Sequence, residues 1–378
     1  MDAQATAKIL CAFADMPDPR DSNRSHKFID ILTIALFAVL CGADGWVAVA
    51  QYGRCKLDWL KTFLELPRGI PSHDTFGKLF ARLKPEALEQ CFQKWMAALV
   101  DRAGGRLIAI DGKSLRRSFE HGWDKSGMAH MVSAFVAANH LVLAQVKTEG
   151  KGQELEGIHQ LLALLDLEGA VVTIDALGCQ KDIAQEIRAG SGQYILQVKD
   201  NQPTLLGKLK ITLDDCILDG FAGMASDFFC EVDGDHGRIE TRKLWVCWDV
   251  KLLGKLREDW CDVRSLIAVE RTREVGGKSS VERHYYISSL DKRTKAKALA
   301  GLIRGHWSVE NNLHWQLDVS FGEDERRIRK DHGAENYSRL CRISLNLLKN
   351  ETTQKTGIAI KRQICGWNNE YLLKVVNA

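Results

Sequence analysis

Leu107-Ile108-Ala109-Ile110-Asp111 is a short apolar run that closes on a carboxylate. A second run of the same design, Ala170-Val171-Val172-Thr173-Ile174-Asp175, places its aspartate 175 − 111 = 64 positions later. Short apolar runs of this kind predict buried strands. Because open sheets bind ligands at the carboxyl ends of their strands, we expect the two aspartates to lie together at one edge of a sheet.

The segments around these two runs predict the rest of the sheet. Two further strands and a helix precede the second run, and a helix and a final strand follow it. The order strand, strand, strand, helix, strand, helix, strand indicates an α/β fold whose mixed sheet is flanked by helices. This is the order found in ribonuclease H-like folds. The predicted bounds are Met131–Val136, Leu141–Val146, Ile158–Leu165, Gln180–Ala189 and Tyr194–Val198, with a turn at Asn139.

The flanking regions differ in character from this core. The N-terminal region is helical throughout, and its basic side chains are explained equally well by DNA contact and by a solvated helix face. A Gly104-Gly105 pair separates it from the first strand. We predict a helical N-terminal domain at 1–100, the first part of the catalytic domain at 101–205, a β-rich insertion at 206–300, and a glutamate-bearing helix with C-terminal helices at 301–378.

Composition describes an ordinary globular protein of 378 residues, 45% of them hydrophobic. The longest apolar run, Ile31–Gly42, is shorter than the roughly 20 residues that span a bilayer, so we expect no membrane segment. Eleven cysteines without a Cys-x-x-Cys pair, and a start unlike a signal peptide, predict a cytoplasmic protein with reduced thiols. A net charge of +3 requires any nucleic-acid surface to be confined to one face.

A third acid, Glu310, lies in a predicted helix at Gly305–Trp315. Two strand-end aspartates and a helix-borne glutamate suit a two-metal phosphoryl-transfer site. Magnesium prefers carboxylate oxygens and needs one or two of them beside its waters. We therefore predict that Asp111, Asp175 and Glu310 are catalytic and bind two Mg²⁺ ions, with Mn²⁺ as a substitute. The alternative for each acid taken alone is a loop residue or a helix cap.

Polar groups near the acids are candidates for contacts to DNA phosphates. Some directly follow the first aspartate, some share a helix face with Glu310, and some lie in the charged segment downstream, whose acids Asp318, Glu323 and Asp324 we expect to be structural. The spacing of the two histidines around Glu310 differs from that of zinc proteases. The candidates on these grounds are Lys113, Arg116, Arg117, Asn311, His314, Arg326 and Arg327.

Five motifs run along the chain: Met16–Arg20, Ile110–Arg116, Thr173–Gln180, Lys199–Gln202 and Gly305–Val319. Together they resemble the DDE transposases of insertion sequences, and most closely the branch of H-repeat-associated proteins of Rhs elements. The resemblance covers nearly the whole chain. It implies a ribonuclease H-like catalytic domain with a β insertion, magnesium dependence and DNA transposition. The same acid triad is implied as catalytic.

One part of the Glu310 helix departs from the wider family. Many relatives carry a tyrosine seven residues before the glutamate, an arginine four before it and a lysine seven after it, where this chain has Ile303, His306 and Leu317. The resemblance therefore implies that His306 and Arg304 stand in for the arginine as DNA contacts. Lys199, which opens its own motif, is a further candidate.

The combined expectation is a transposase that cleaves double-stranded DNA at the ends of its element and transfers the 3′-hydroxyl into target DNA, acting as a homodimer. Two alternatives remain open. One is a nuclease of the same fold that cuts without joining, and the other is an inactive or domesticated relative that only binds DNA.

Overall fold

The computed structural model describes residues 13–14, 16–21, 24–99, 107–118, 128–138, 140–148, 150–235 and 238–378. The predicted break at Gly104-Gly105 and the turn at Asn139 lie outside these ranges. Among the residues described, no helix is both long and apolar enough to cross a membrane.

The described N-terminal part of the chain is helical, as predicted. Its helices are α1 (Phe28–Leu40), α2 (Trp46–Cys55), α3 (Leu57–Leu60), α4 (His73–Arg82) and α5 (Pro85–Leu99). Most side chains of α1 are buried. The Ser72 hydroxyl caps α4 by accepting a hydrogen bond from the Thr75 amide at 3.3 Å. The predicted apolar stripe of α4 is confirmed, because Phe76, Leu79 and Phe80 are buried.

Strands of the described chain form one mixed sheet. They are β1 (Leu107–Ser114), β2 (His130–Val136), β3 (Leu141–Thr148), β4 (Val171–Ile174), β5 (Gln193–Val198), β6 (Ser226–Asp235), β7 (Arg238–Cys247), β8 (Ser265–Val275) and β9 (Lys278–Ser288). Their order across the sheet is β3-β2-β1-β4-β5-β9-β8-β7-β6. β1, β4 and β5 are parallel, and the other pairings are antiparallel. The predicted α/β class and mixed sheet are confirmed.

The strands of the predicted insertion continue this same sheet. β9 pairs with β5, matching Ile287 to Leu196, and β8 returns to β9 through Gly276 and Gly277, both with positive φ. The hairpin predicted there is confirmed. A helix missed by the sequence analysis, α8 (Pro203–Leu218), precedes these strands. Its signal is a set of buried apolar residues at helical spacing: Leu205, Leu206, Leu209 and Leu213.

Helices cover both faces of the sheet. The remaining helices are α6 (Glu154–Leu164), α7 (Lys181–Ala189), α9 (Ala296–His306), α10 (Trp315–Val319), α11 (Gly333–Asn350), α12 (Ile358–Trp367) and α13 (Asn369–Val376). α6 shares a core with Ile108 and Val172, whereas α9 shares a second core with Leu107 and Val171. Neighbouring residues of a strand point to opposite faces, so α6 and α9 lie on opposite sides of the sheet.

α11 joins the N-terminal helices to the sheet, packing against α1, α4, α5 and β3. Its Arg339 is buried between Glu89 (Nε to Oε2, 2.9 Å) and Glu335 (Nη1 to Oε1, 2.7 Å). Its Arg342 Nη1 donates to Glu323 Oε1 at 3.0 Å. Breaking a buried ion pair typically costs about 3–5 kcal/mol, because it leaves a charge without its partner. The Arg339–Glu89 pair thus links α11 to α5, whereas Glu335 lies on α11 itself.

Candidate active site

The two strand-end aspartates lie at the same edge of the sheet. β1 and β4 pair Ile110 with Ile174, so Asp111 and Asp175 are the next residue on each strand. Both line one small cavity. The sequence predicts that β1 ends at Asp111. In the structure the strand continues to Ser114, paired with β2. The first aspartate therefore stands on a strand and the second on a loop.

Asp111 is crowded by other carboxylates. Burial raises the pKa of Asp111 to about 7. The Gly112 amide, which donates to Asp111 Oδ1 at 2.9 Å, acts in the opposite direction. The negative charges of Asp175, Glu310 and Glu154 add to the rise. The site thus holds more negative charge than its own side chains neutralise.

Asp175 is open to solvent and caps the short 3₁₀ turn Ala176–Gly178, accepting a hydrogen bond from the Leu177 amide at 3.1 Å. The helix-cap alternative is therefore observed for this residue. Partial desolvation raises the pKa of Asp175, and the charge of Glu154 raises it further. The backbone amides of the turn and the positive charge of Lys199 lower it.

The Lys199–Gln202 motif holds the loop that carries Asp175. Asn201 Nδ2 donates to the Ala176 carbonyl at 2.6 Å, and Gln202 Nε2 donates to the Cys179 carbonyl at 3.0 Å. Two amide side chains thus fix the loop, while Lys199 itself is exposed. Asn201 and Gln202 thus have a structural role, and Lys199 supplies a positive charge at the surface.

The predicted continuous helix around Glu310 is interrupted. α9 ends at His306, a π-helical turn spans Glu310–His314, and α10 follows. Lys349 Nζ from α11 donates to the Asn312 carbonyl at 2.7 Å inside this turn. Isolated π turns commonly mark functional sites. Glu310 is exposed here and lines a trough between α9 and the strands β6–β9.

The two histidines of this segment face the sheet. His314 Nδ1 lies 3.5 Å from Asp111 Oδ2, and burial, with Lys113 and Arg342 nearby, lowers the pKa of His314 to about 3. His306 Nδ1 lies 3.1 Å from Thr173 Oγ1, and burial lowers its pKa to about 4. Both imidazoles are therefore neutral near pH 7. They connect the segment to β4 and β1, and the DNA contacts predicted for them stay predictions.

Two predicted DNA-binding cations are enclosed by the protein. Lys113 forms ion pairs with Asp318 and with Glu323, the latter at 3.6 Å, and its side chain is only 9% exposed. Arg326 donates to Cys341 Sγ at 2.8 Å and lies 4.5 Å from the Tyr337 ring centroid. Asp318 and Glu323, two of the acids expected to be structural, thus enclose Lys113, whereas Arg326 is held by an aromatic ring and a thiol.

The other predicted DNA-binding residues are on the surface, in two groups. Arg116, Arg117 and Arg304 pair with acids: Arg116 with Asp324 at 3.1 Å, Arg117 with Glu325 at 2.6 Å, and Arg304 with Glu231 at 3.3 Å and Asp233 at 3.2 Å. Lys199, Asn311 and Arg327 are exposed, and Lys199 and Arg327 have no ion pair among the residues described. Those two cations are the ones available to a phosphate without breaking an ion pair.

Sequence analysis missed two polar residues that belong to this region. Glu154, the first residue of α6, lines the same cavity as the two aspartates. Buried His130 on β2 contacts it through Nε2. An acid in the first turn of a helix is common, so Glu154 carries no distinctive signal. The available cue was Gly112, directly after Asp111, where a side chain would collide with both residues.

Comparison with known proteins agrees with the motifs. The family described as "Transposase DDE domain" matches residues 102–347, and the family described as "DDE_Tnp_1-associated" matches residues 10–96. The chain belongs to the DDE transposase family. The predicted family is therefore confirmed, and membership implies dependence on a divalent metal ion.

Curated relatives of this DDE transposase match along nearly its whole length. "Putative transposase YncI" of Escherichia coli O157:H7 is 38% identical, over 96% of this chain and 92% of the relative. "H repeat-associated putative transposase YhhI" of Escherichia coli strain K12 is 35% identical, over 98% of this chain and 97% of the relative. Among solved structures, a piggyBac transposase synaptic complex with hairpin DNA matches at 11% identity and a TM-score of 0.42, over 100% of this chain and 79% of that one.

The donor set of this transposase fits a divalent metal ion in its chemistry. Asp111 and Asp175 share a cavity, and their pKa values are raised first by burial and then by the surrounding acids. Neither Asp175 nor Glu310 has an ion pair within the described chain, and the one such neighbour of Asp111 is neutral His314. No three His, Cys, Asp or Glu side chains of the described ranges converge at ligating distance. Mg²⁺ needs one or two carboxylates, so the aspartate pair suffices for one ion.

Proposed function

We propose that this DDE transposase is an active enzyme that cleaves DNA at the ends of its element and joins the freed 3′-hydroxyl to target DNA. Its catalytic carboxylates are Asp111, Asp175 and Glu310, and its cofactor is Mg²⁺. The observation that carries the proposal is the pair of aspartates at one sheet edge, crowded by further acids and unpaired with any cationic side chain of the described chain.

The strand order supports a ribonuclease H-like catalytic fold. β3-β2-β1-β4-β5 places an antiparallel hairpin beside three parallel strands, with Asp111 on β1 and Asp175 directly after β4. The strands β6–β9 are then an insertion added at the free edge of β5. Ligands of such sheets bind at the carboxyl ends of the strands; Asp175 follows β4 there, and Asp111 lies where the pairing of β1 with β4 stops.

Divalent ions held by Asp111 and Asp175 would neutralise charge on the attacking and leaving oxygens of one phosphate. The chain's own contribution is placement. The Gly112 amide fixes one carboxylate, and the loop tied by Asn201 and Gln202 fixes the other. Glu310 approaches from the trough side, on a segment that Lys349 holds. These contacts arrange the acids before DNA binds, which lowers the reorganisation needed for reaction.

DNA reaches this site along its cationic margins. Lys199 lies close enough to lower the pKa of Asp175, and Arg327 is exposed on the segment after α10. The trough beside Glu310 is lined by further basic residues, most of them paired with acids on the same strands. A phosphate backbone would compete for those pairs, whereas the two unpaired cations are ready for contact.

The test is strand cleavage and strand transfer in one reaction. The substrate is duplex DNA carrying the inverted repeats that flank the chain's own gene, with a supercoiled plasmid as target and Mg²⁺ or Mn²⁺. We expect cleavage and joining by the natural chain, and loss of both in Asp111→Asn, Asp175→Asn and Glu310→Gln. The matched control Asp182→Asn removes an exposed acid on α7 and retains activity.

The same reaction separates the alternatives. Cleavage without joined products indicates a nuclease of this fold. Binding of the ends without cleavage indicates a DNA-binding relative. Full activity in Asp111→Asn contradicts the assigned carboxylates, whatever the products.

A further inference from the structure

We propose that Glu154 is a fourth carboxylate of the metal-binding site, and that buried His130 positions it there. The inference rests on the proposed function, since it adds a residue to the same site. It goes beyond the three acids that the sequence motifs supply. Four steps carry it: the side of the sheet from which Glu154 arrives, the space that admits it, the residues that hold it, and the charge that it brings.

Glu154 enters from the face of the sheet opposite to Glu310. Asp111 contacts His314, which belongs to the α9–α10 side, and the next residue of β1 points the other way. Glu154 is the first residue of α6, which packs on that other side. It nevertheless lines the same cavity as Asp111 and Asp175. The aspartates thus lie between acids supplied from both faces.

Gly112 provides the space for this approach. A Cβ at Gly112 would lie 2.5 Å from Glu154 Oε1 and 2.6 Å from His130 Nε2. Both distances are far below ordinary contact, so any side chain at this position would push the carboxylate away. The glycine next to Asp111 is explained by this close approach, because its φ is not in the left-handed region.

His130 holds the carboxylate in a fixed place. It is 2% exposed, its Nε2 contacts Glu154 Oε1, and its Nδ1 lies 2.9 Å from Ser114 Oγ. Ser114 and His130 are direct partners across β1 and β2. The imidazole is therefore hydrogen-bonded at Nδ1 and has the Glu154 carboxylate in contact at Nε2. A histidine between a hydroxyl and a carboxylate is a common way to orient a metal-binding group.

The charge of Glu154 favours a metal-binding role over a purely structural one. A neutral glutamine at this position would line the same cavity without adding charge. Instead, the carboxylate places a further negative charge in the cavity lined by Asp111 and Asp175, and like charges held close together repel at a cost to the cation-free site. A bound divalent cation would reverse that cost, because it attracts every acid in the cluster.

The experiment measures Mn²⁺ binding by the full chain without DNA, using isothermal titration calorimetry. Glu154→Gln is compared with two variants. Glu156→Gln changes an exposed acid two positions later in the same helical turn, and Asp111→Asn is the reference for loss of the site. We expect Glu154→Gln to weaken Mn²⁺ binding about 10-fold or more and Glu156→Gln to leave it unchanged. Thermal melting in EDTA verifies that each variant is folded.

Each outcome decides between the proposals. Natural affinity in Glu154→Gln, with binding lost in Asp111→Asn, overturns the role of Glu154 and leaves the proposed function standing. Binding that Asp111→Asn does not weaken, or no binding by the natural chain, overturns both. If Glu154→Gln does not fold, Glu154→Asp replaces it. This variant keeps the charge but withdraws it by one methylene, and the same weakening is expected.

Discussion

Replacing Asp111 by asparagine is expected to stabilise the metal-free protein at neutral pH while removing its proposed activity. Asparagine keeps the size of the side chain and an oxygen that can accept the Gly112 amide. It removes a negative charge that burial and three neighbouring acids oppose. Function and stability therefore make opposite demands on this position, as is common where an active site concentrates like charges.

The magnitude follows from the pKa of Asp111, which rises from about 4 in an unfolded chain to about 7 in the fold. Between these pH values the folded chain keeps a proton that the unfolded chain releases, so stability falls as pH rises from about 4 to about 7. The full rise corresponds to about 4 kcal/mol. Because the side chain is 23% exposed and salt screens its neighbours, we expect about 2–3 kcal/mol.

The assay is urea unfolding in EDTA, followed by circular dichroism at about pH 4.5, near the lower end of this range, and at about pH 8, above it. Asp111→Asn should be more stable than the natural chain at the higher pH and nearly equal to it at the lower. Asp215→Asn, which removes an exposed acid of α8 that has no ion pair among the described residues, should show no such dependence. Equal stability of Asp111→Asn and the natural chain at the higher pH would refute the argument from crowded charge.

Three further predictions concern neighbouring residues. Lys113→Met is expected to lower the free energy of unfolding by about 3 kcal/mol, because it leaves two acids without their cationic partner. The control Lys78→Met, at an exposed position, should change this free energy by less than about 0.5 kcal/mol. Urea unfolding of both variants is the measurement, and natural stability of Lys113→Met would contradict the prediction. Gly112→Ala should lower the free energy of unfolding by about 1–3 kcal/mol and weaken Mn²⁺ binding, because the added methyl group displaces Glu154. A natural free energy of unfolding and a natural Mn²⁺ affinity in this variant would show that the close approach is not needed. Lys199→Ala should reduce the slope of log K against log salt for DNA binding by about 1, measured by fluorescence anisotropy, and an unchanged slope would remove Lys199 from the DNA contacts.

Strand and helix positions were predictable where a few consecutive residues carry the signal. The apolar runs before Asp111 and Asp175 predict β1 and β4, and alternation or helical period predicts most of the other elements. Two local misjudgements have local causes. β1 extends past Asp111 because Gly112–Ser114 pair with β2, and α8 was overlooked although its leucines show the period.

Side-chain roles around the site were less predictable. In the sequence, Lys113 follows Asp111 closely, as a phosphate-binding lysine could. In the fold it is enclosed by Asp318, which lies 205 positions away along the chain. Arg326 likewise donates a hydrogen bond to Cys341 and packs against the ring of Tyr337. Whether a cation is free for DNA depends on which distant acids pack against it, and no short motif records that.

The sequence by itself determined the family, the α/β class and the three acids, because apolar period and motif spacing are local properties of the chain. The tertiary structure alone decided what surrounds those acids. It inserted a π turn at Glu310, made His306 and His314 neutral through burial, and brought Glu154 to the aspartates past Gly112. These outcomes arise from desolvation and from contacts between layers of the fold, and both exist only once the sheet and its helices are packed together.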